Sequence, residues 1–234
     1  MKVYQNLLSL FFPEKCPFCR KITNHSGPCA ACQKNLPWAA EDTGLRKGPG
    51  GLVCAAPLLY QDTVREALLR LKFHGGENLA RPLGELVAQC AAERFSGEFD
   101  VVTWAPVSAE RLRERGYDQA QLLAQSACRV WDTAPERLLE KIRNAPPQSG
   151  IQDVEARRFN VLDAYRLAPG ARVFDRRILL IDDICTTGAT LTECVRVLTE
   201  AGAERVVCAA VALTAYKRNS QGEDGKPCAS AKKR

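Results

Sequence analysis

A chain of 234 residues and 25.8 kDa has room for one full-sized domain and a small appendage, but not for two large domains. Its 46% hydrophobic and 26% charged residues are the balance of a globular protein, which excludes disordered and fibrous classes. The net charge of +6 sits at the ends, with +4 in residues 1–38, +4 in 217–234 and −2 in 39–216. Basic ends suit an anionic partner such as nucleic acid, and equally a solvated tail.

At the start of the chain, Lys2 and the apolar run 6–12 resemble a secretion signal only faintly, because no small-residue cleavage site follows. An amphipathic docking helix is the better reading. No run approaches the ~18 consecutive apolar residues of a membrane span, so no membrane span is expected. An odd count of 11 cysteines without a secretion signal argues for a reducing compartment, hence a cytoplasmic location and a metal rather than disulfides. Cys16, Cys19, Cys29 and Cys32 form two C-x-x-C pairs nine residues apart. Two tight knuckles of this kind place four thiolates around one tetrahedral ion, so residues 1–40 are expected to be a structural zinc module. His25, between the pairs, is not needed to complete the shell. Cys54, Cys90, Cys128, Cys185, Cys194, Cys208 and Cys228 are scattered singly and read as small core residues.

Residues 41–51, rich in glycine and containing Pro49, read as a linker to a domain spanning 52–216. There the apolar run 52–60 reads as a strand, and Val64, Ala67, Leu68 and Leu71 recur at helical spacing after Asp62, a candidate N-cap. Leu79, Leu83, Leu86, Val87 and Cys90 repeat the helical pattern. A short strand over 101–104 is followed by a helix marked by Ala120, Leu123, Ala127 and Val130. Beyond these come an apolar strand at 178–181, a helix marked by Leu191, Val195 and Leu198 and closed by Gly202, and a strand at 205–213. The alternation predicts an α/β fold with a mostly parallel sheet flanked by helices. The polar stretch 217–234 is expected to be a disordered basic tail.

The chemistry concentrates in one stretch. After the apolar strand come Asp182 and Asp183, then Cys185, Thr186, Thr187, Gly188, Ala189 and Thr190 leading into a helix. In open parallel sheets ligands bind at this edge. A Thr/Gly turn at a helix start offers backbone N–H groups and hydroxyls to a phosphate. Carboxylates beside a phosphate site need another object to grip, and the vicinal hydroxyls of a ribose fit. Together the segment reads as a pocket for ribose 5-phosphate.

This segment resembles the phosphoribosyl pyrophosphate (PRPP) signature of type I phosphoribosyltransferases. Trp104-Ala105-Pro106-Val107 with Arg111 to Ala120, the four-cysteine module, Leu71-Lys72-Phe73, and Gln148 with Arg157 and Asn160 resemble the ComF family of competence-associated proteins. The resemblance implies a type I phosphoribosyltransferase-like fold. It implies that Asp182 and Asp183 hold the ribose 2- and 3-hydroxyls and that Cys185 to Thr190 bind the 5-phosphate. The turn after the strand 101–104 becomes a pyrophosphate loop with Arg111, Arg113 or Arg115 supplying charge, Arg115 favoured because Gly116 lets the backbone approach closely. Residues 141–160, with Arg143, Gln148 and Arg157, become a flexible lid, and on composition alone an ordinary surface loop. Magnesium is expected to arrive with PRPP. Two positions depart from the family pattern: Asp118 stands where Asn is usual, and Ala145 where Thr is common.

Two functions follow. One is a phosphoribosyltransferase acting on an acceptor the sequence does not identify. The other is a non-catalytic PRPP or nucleotide sensor whose zinc module contacts single-stranded DNA or a protein of the competence machinery.

Overall fold

The computed structural model describes residues 14–73, 75–143 and 163–215. Its first segment folds around the four cysteines. Lys15 bridges to Ile22 across the first knuckle, and the second knuckle leads into a short helix, α1 (Ala30–Asn35). Cys16, Phe18 and Leu36 are buried in the same apolar core as the helices of the main domain. Arg70 reinforces the seam by donating to the carbonyls of Pro17 at 2.6 Å and Phe18 at 3.2 Å. The module is therefore packed onto the domain and shares its core.

The main domain runs β1 (Leu45–Lys47), β2 (Val53–Ala55), β3 (Leu58–Leu59), α2 (Asp62–Phe73), α3 (Ala80–Arg94), β4 (Val101–Trp104), α4 (Ala109–Arg115) and α5 (Gln119–Val130). It continues with β5 (Leu139–Lys141), β6 (Tyr165–Leu167), β7 (Arg177–Cys185), α6 (Ala189–Glu200) and β8 (Arg205–Leu213). The central sheet has the order β1-β2-β8-β7-β4, with β3 also on β8, and every pairing except β1 with β2 is parallel. β7 and β8 sit in its middle and are covered on both faces, which is why they read as nearly unbroken apolar runs. One face carries α2, α3 and α5, through Leu68, Leu71, Leu83, Val87 and Leu123 against Leu179, Ile181 and Ala209. The other carries α6 and the antiparallel β5–β6 ribbon, through Leu191, Val195, Leu198, Leu139 and Tyr165 against Ile178, Leu180 and Ala210. Helices α3 and α5 approach closely at Gly84. A Cβ there would lie 2.5 Å from that of Ser126 and 2.7 Å from the Leu123 carbonyl, so only glycine fits without moving a helix.

Three expectations change. The supposed linker 41–51 contributes a strand: Leu45, Arg46 and Lys47 pair with Ala55, Cys54 and Val53, and the Gly/Pro stretch is the turn of that hairpin. The single strand expected at 52–60 divides into β2 and β3, because Pro57 between them has no N–H to give the ladder. The strand expected to stop at Ile181 continues through both aspartates to Cys185, since β8 is long enough to pair with it as far as Leu213. Of the scattered cysteines, Cys54, Cys90, Cys128, Cys185, Cys194 and Cys208 are buried core residues as expected. The N-terminal helix, His74, Cys228, the tail, and Ala145, Gln148, Arg157 and Asn160 of the expected lid lie outside the described residues.

Candidate functional site

Because β7 is a strand through the diacid, its alternating side chains send the two aspartates to opposite faces of the sheet. Asp183 is 4% exposed and turns to the α2 face, where Lys72 Nζ meets its Oδ2 at 2.8 Å. Asp182 lies on the α6 face, and its Oδ1 accepts the Asp183 backbone N–H at 2.8 Å. Burial, then the neighbouring charge of Asp183, pushes the Asp182 carboxyl well above the usual carboxylate range, with Lys72 opposing. Burial alone would lower the Lys72 ammonium, but Asp183 outweighs it and the net shift is upward. The two carboxylates therefore straddle the C-terminal edge of the sheet, one neutralised by a lysine and one inclined to hold its proton.

The turn after β7 is built as a donor site. Gly188 caps α6 with φ +80°, in the left-handed region, and a Cβ there would come within 2.7 Å of Leu52 Cδ2. Gly188 brings no side-chain acceptor of its own to the orphan N–H groups of the first turn. Thr187 Oγ1 accepts the Ala189 N–H at 3.3 Å, and Thr186 is exposed. Cys185 is placed differently from its neighbours: its thiol is buried and meets that of Cys54, which with nearby Arg46 lowers its pKa against the effect of burial. What Cys185 brings to the turn is backbone.

On the same C-terminal edge, because β4 runs parallel to β7 with Trp104 in register with Ile181, Pro106 and Val107 lead into α4. Ser108 caps that helix by accepting the Arg111 N–H at 3.3 Å, and Gly116, at φ +82°, ends it. Helical spacing puts Arg111 and Arg115 on one side and Arg113 on the other, so the arginines do not act as an alternating row. The Arg115 guanidinium stacks 4.8 Å from the Phe73 ring centroid and donates to Gln119 Oε1 at 3.1 Å. Burial, then repulsion from Arg111, lowers its pKa, with Asp183 opposing. Arg111 also bears on Lys141 at the end of β5, whose ammonium sits 5.0 Å from the Tyr165 ring centroid and is lowered by burial first and Arg111 second. Arg143, just beyond, is exposed.

Asp118 proves to be structural. It is 6% exposed, caps α5 by accepting the N–H groups of Ala120 at 3.0 Å and Gln121 at 3.2 Å, and accepts the Val107 N–H at 3.0 Å on its other oxygen. A carboxylate offers acceptors on both oxygens, whereas an amide would turn its NH2 toward one of these donors. The departure from Asn thus tightens the loop after β4. Trp104, 6% exposed, is a core residue.

Lys72 and Arg46 are cations to which the sequence reading gave no place at the site, and Lys141, expected to open the lid, instead ends the strand β5. Lys72 had a readable signal, a charged residue directly after the buried position Leu71 in the last turn of a helix. Lys141 and Arg46 lie on three-residue strands that carry too little periodicity to show which way they face.

In the module, the sulfurs of Cys16, Cys19, Cys29 and Cys32 lie within 4.8 Å of one another, close to the separation of about 3.8 Å that a tetrahedral zinc–thiolate shell imposes. Against the effect of burial, backbone hydrogen bonding from Cys29 and others lowers the Cys16 thiol to about 6, and backbone hydrogen bonding at Cys32 lowers that of Cys29. Burial raises Cys32. His25 stands outside this cluster, its Nδ1 2.9 Å from the Ser26 carbonyl. Four convergent soft ligands fit zinc.

A family model described as the phosphoribosyl transferase domain matches residues 143–234. The chain is also similar to Competence protein F of Haemophilus influenzae, 28% identical over 200 residues, which are 82% of this chain and 86% of that one. It is 28% identical to Competence protein ComFC of Streptococcus pneumoniae over 82% of this chain and 78% of that one. It is 29% identical to the DNA utilization protein YhgH of Escherichia coli over 82% of this chain and 80% of that one. No helix among the described residues is long and apolar enough to cross a membrane.

Proposed function

We propose that this chain, which carries a phosphoribosyl transferase domain and resembles competence proteins over most of its length, binds PRPP and transfers its ribose 5-phosphate to an acceptor, releasing pyrophosphate. The observation that carries the reading is the β7 edge, where Asp182, Asp183 and a glycine-capped helix start share one short segment. The turn from Thr186 to Thr190 holds the 5-phosphate by backbone donors and hydroxyls. Asp182 and Asp183 accept from the ribose hydroxyls. Arg111 and Arg115, with the loop after β4 closed by Gly116, draw the pyrophosphate, whose negative charge grows as the bond from C1 to its oxygen breaks. The acceptor's nucleophile forms the new bond to C1 and loses its proton.

An ion delivered with the substrate would find hard oxygen donors in Asp183, in place of its ion pair with Lys72, and in Asp182 once that carboxyl gives up its proton. Magnesium supplies charge neutralisation of the phosphates. The four thiols of Cys16, Cys19, Cys29 and Cys32 hold structural zinc. In keeping with relatives named for competence and for DNA utilization, this chemistry serves DNA uptake or utilisation, with single-stranded DNA or a competence protein as partner and the cytoplasm as the compartment.

Calorimetric titration of the zinc-loaded full chain with PRPP and magnesium tests the reading. Binding that weakens at least a hundredfold in Asp182→Asn/Asp183→Asn supports it, and no binding by the unmodified chain overturns it. Pyrophosphate release with an added acceptor establishes transfer. Binding of PRPP without release under any acceptor replaces transfer with ligand sensing by the same pocket.

A further inference from the structure

We infer that Arg46, on the strand β1 outside the diacid segment, is a positioning residue for the 5-phosphate turn, acting through Thr214; the inference rests on the functional reading above. Arg46 lies opposite Cys54 in the β1–β2 pair and is only 9% exposed. Its Nη2 donates to the Thr214 carbonyl at 2.5 Å and to Thr214 Oγ1 at 3.3 Å. Thr214, the residue after β8, donates in turn from its hydroxyl to the Thr186 carbonyl at 3.0 Å and from its N–H to the Cys185 carbonyl at 3.2 Å.

The consequence lies in backbone polarity. A turn that binds an anion must present N–H groups and keep its carbonyls occupied elsewhere, since a carbonyl oxygen facing a phosphate repels it. Thr214 occupies the two carbonyls that enter the turn, and Arg46 holds Thr214 in the rotamer that does so. The guanidinium also adds a fixed positive charge beside the turn. That charge already reaches the neighbouring thiol: Cys185 is lowered first by its hydrogen bond with Cys54 and, against burial, also by Arg46. A charge held in such a low-dielectric position acts on an incoming phosphate more strongly than one in solvent. Three elements distant in sequence, β1, the end of β8 and the turn after β7, thus converge on one subsite.

The test separates the two ends of the substrate. Ribose 5-phosphate, pyrophosphate and PRPP with magnesium are titrated into the zinc-loaded full chain and its variants, and melting temperatures are measured alongside. Arg46→Met is expected to weaken ribose 5-phosphate and PRPP about tenfold and to leave pyrophosphate unchanged. Arg46→Lys, which keeps the charge and one donor, should recover most of the loss. Thr214→Val, which keeps the arginine but frees the Thr186 carbonyl, should weaken ribose 5-phosphate about threefold. Unchanged ribose 5-phosphate affinity in Arg46→Met overturns the inference, as does an equal loss for pyrophosphate. Should Arg46→Met fail to fold, wild-type affinity in Thr214→Val overturns it. An unmodified chain that binds neither ribose 5-phosphate nor PRPP brings down the functional reading itself.

Discussion

The thiol module and the carboxylate edge of the sheet solve the problem of gathering functional groups differently. Four sulfurs come from two C-x-x-C pairs in one short loop, and their mutual distances follow from local turn geometry. Around Asp183, by contrast, Lys72 comes from the end of α2, Arg115 from α4 and the Thr/Gly turn from the end of β7, and only the packed sheet brings them together. A locally built site can form before its domain does, while a converging site is as good as the core beneath it. Yet here the module shares that core, through Cys16, Phe18 and Leu36.

The sharpest way to break this contrast is to remove the metal. Chelation of zinc, or Cys16→Ser, is expected to lower stability by about 4 kcal/mol when zinc is present at a thousandfold its Kd. It should lower the melting temperature of the whole chain in one transition, because the module and the helices α2 and α3 have a common interior. A separate low-temperature transition in calorimetry, with the main melting temperature unmoved, would show the two regions to be independent.

A smaller effect distinguishes function from stability at the diacid. The folded-state pKa of Asp182 is raised, so its protonated form is favoured by folding. The stabilisation it contributes is present below the unfolded carboxylate pKa and is lost as pH rises through the folded value. At pH 7 Asp182→Asn replaces a carboxyl whose ionised form burial disfavours and keeps an oxygen for the Asp183 N–H. We expect its melting temperature to rise by roughly 2–4 °C, the shift that about 1 kcal/mol produces in a chain of this size, while PRPP binding is lost. A lower melting temperature at pH 7, read by circular dichroism, would mean that Asp182 stabilises the fold rather than serving a ligand.

The smallest expected change is at Asp118. Asp118→Asn leaves the cap of α5 but sacrifices the acceptor for the Val107 N–H, at a cost of about 1 kcal/mol. Relief of burying a carboxylate offsets part of this, since burial raises the Asp118 pKa. Denaturant unfolding should show a net loss below 1 kcal/mol, with pyrophosphate affinity reduced about twofold through a looser Pro106–Val107 loop. An unchanged affinity would separate that loop from the pyrophosphate site.

Much of the molecule was legible in its residues because the relevant physics is local. The convergence of Cys16, Cys19, Cys29 and Cys32 needed only their spacing. The alternation of apolar runs and helical patterns implied a parallel sheet covered on both sides. Tertiary structure decided the rest. It extended β7 through the aspartates because β8 was there to pair with it, and so turned Asp182 and Asp183 to opposite faces. It drew the supposed linker into the sheet and thereby set Arg46 beside Thr214. It gave Asp183 a lysine from another helix. These outcomes depend on which distant strand or side chain reaches a position first, and no pattern within a window of one helix or strand carries that information.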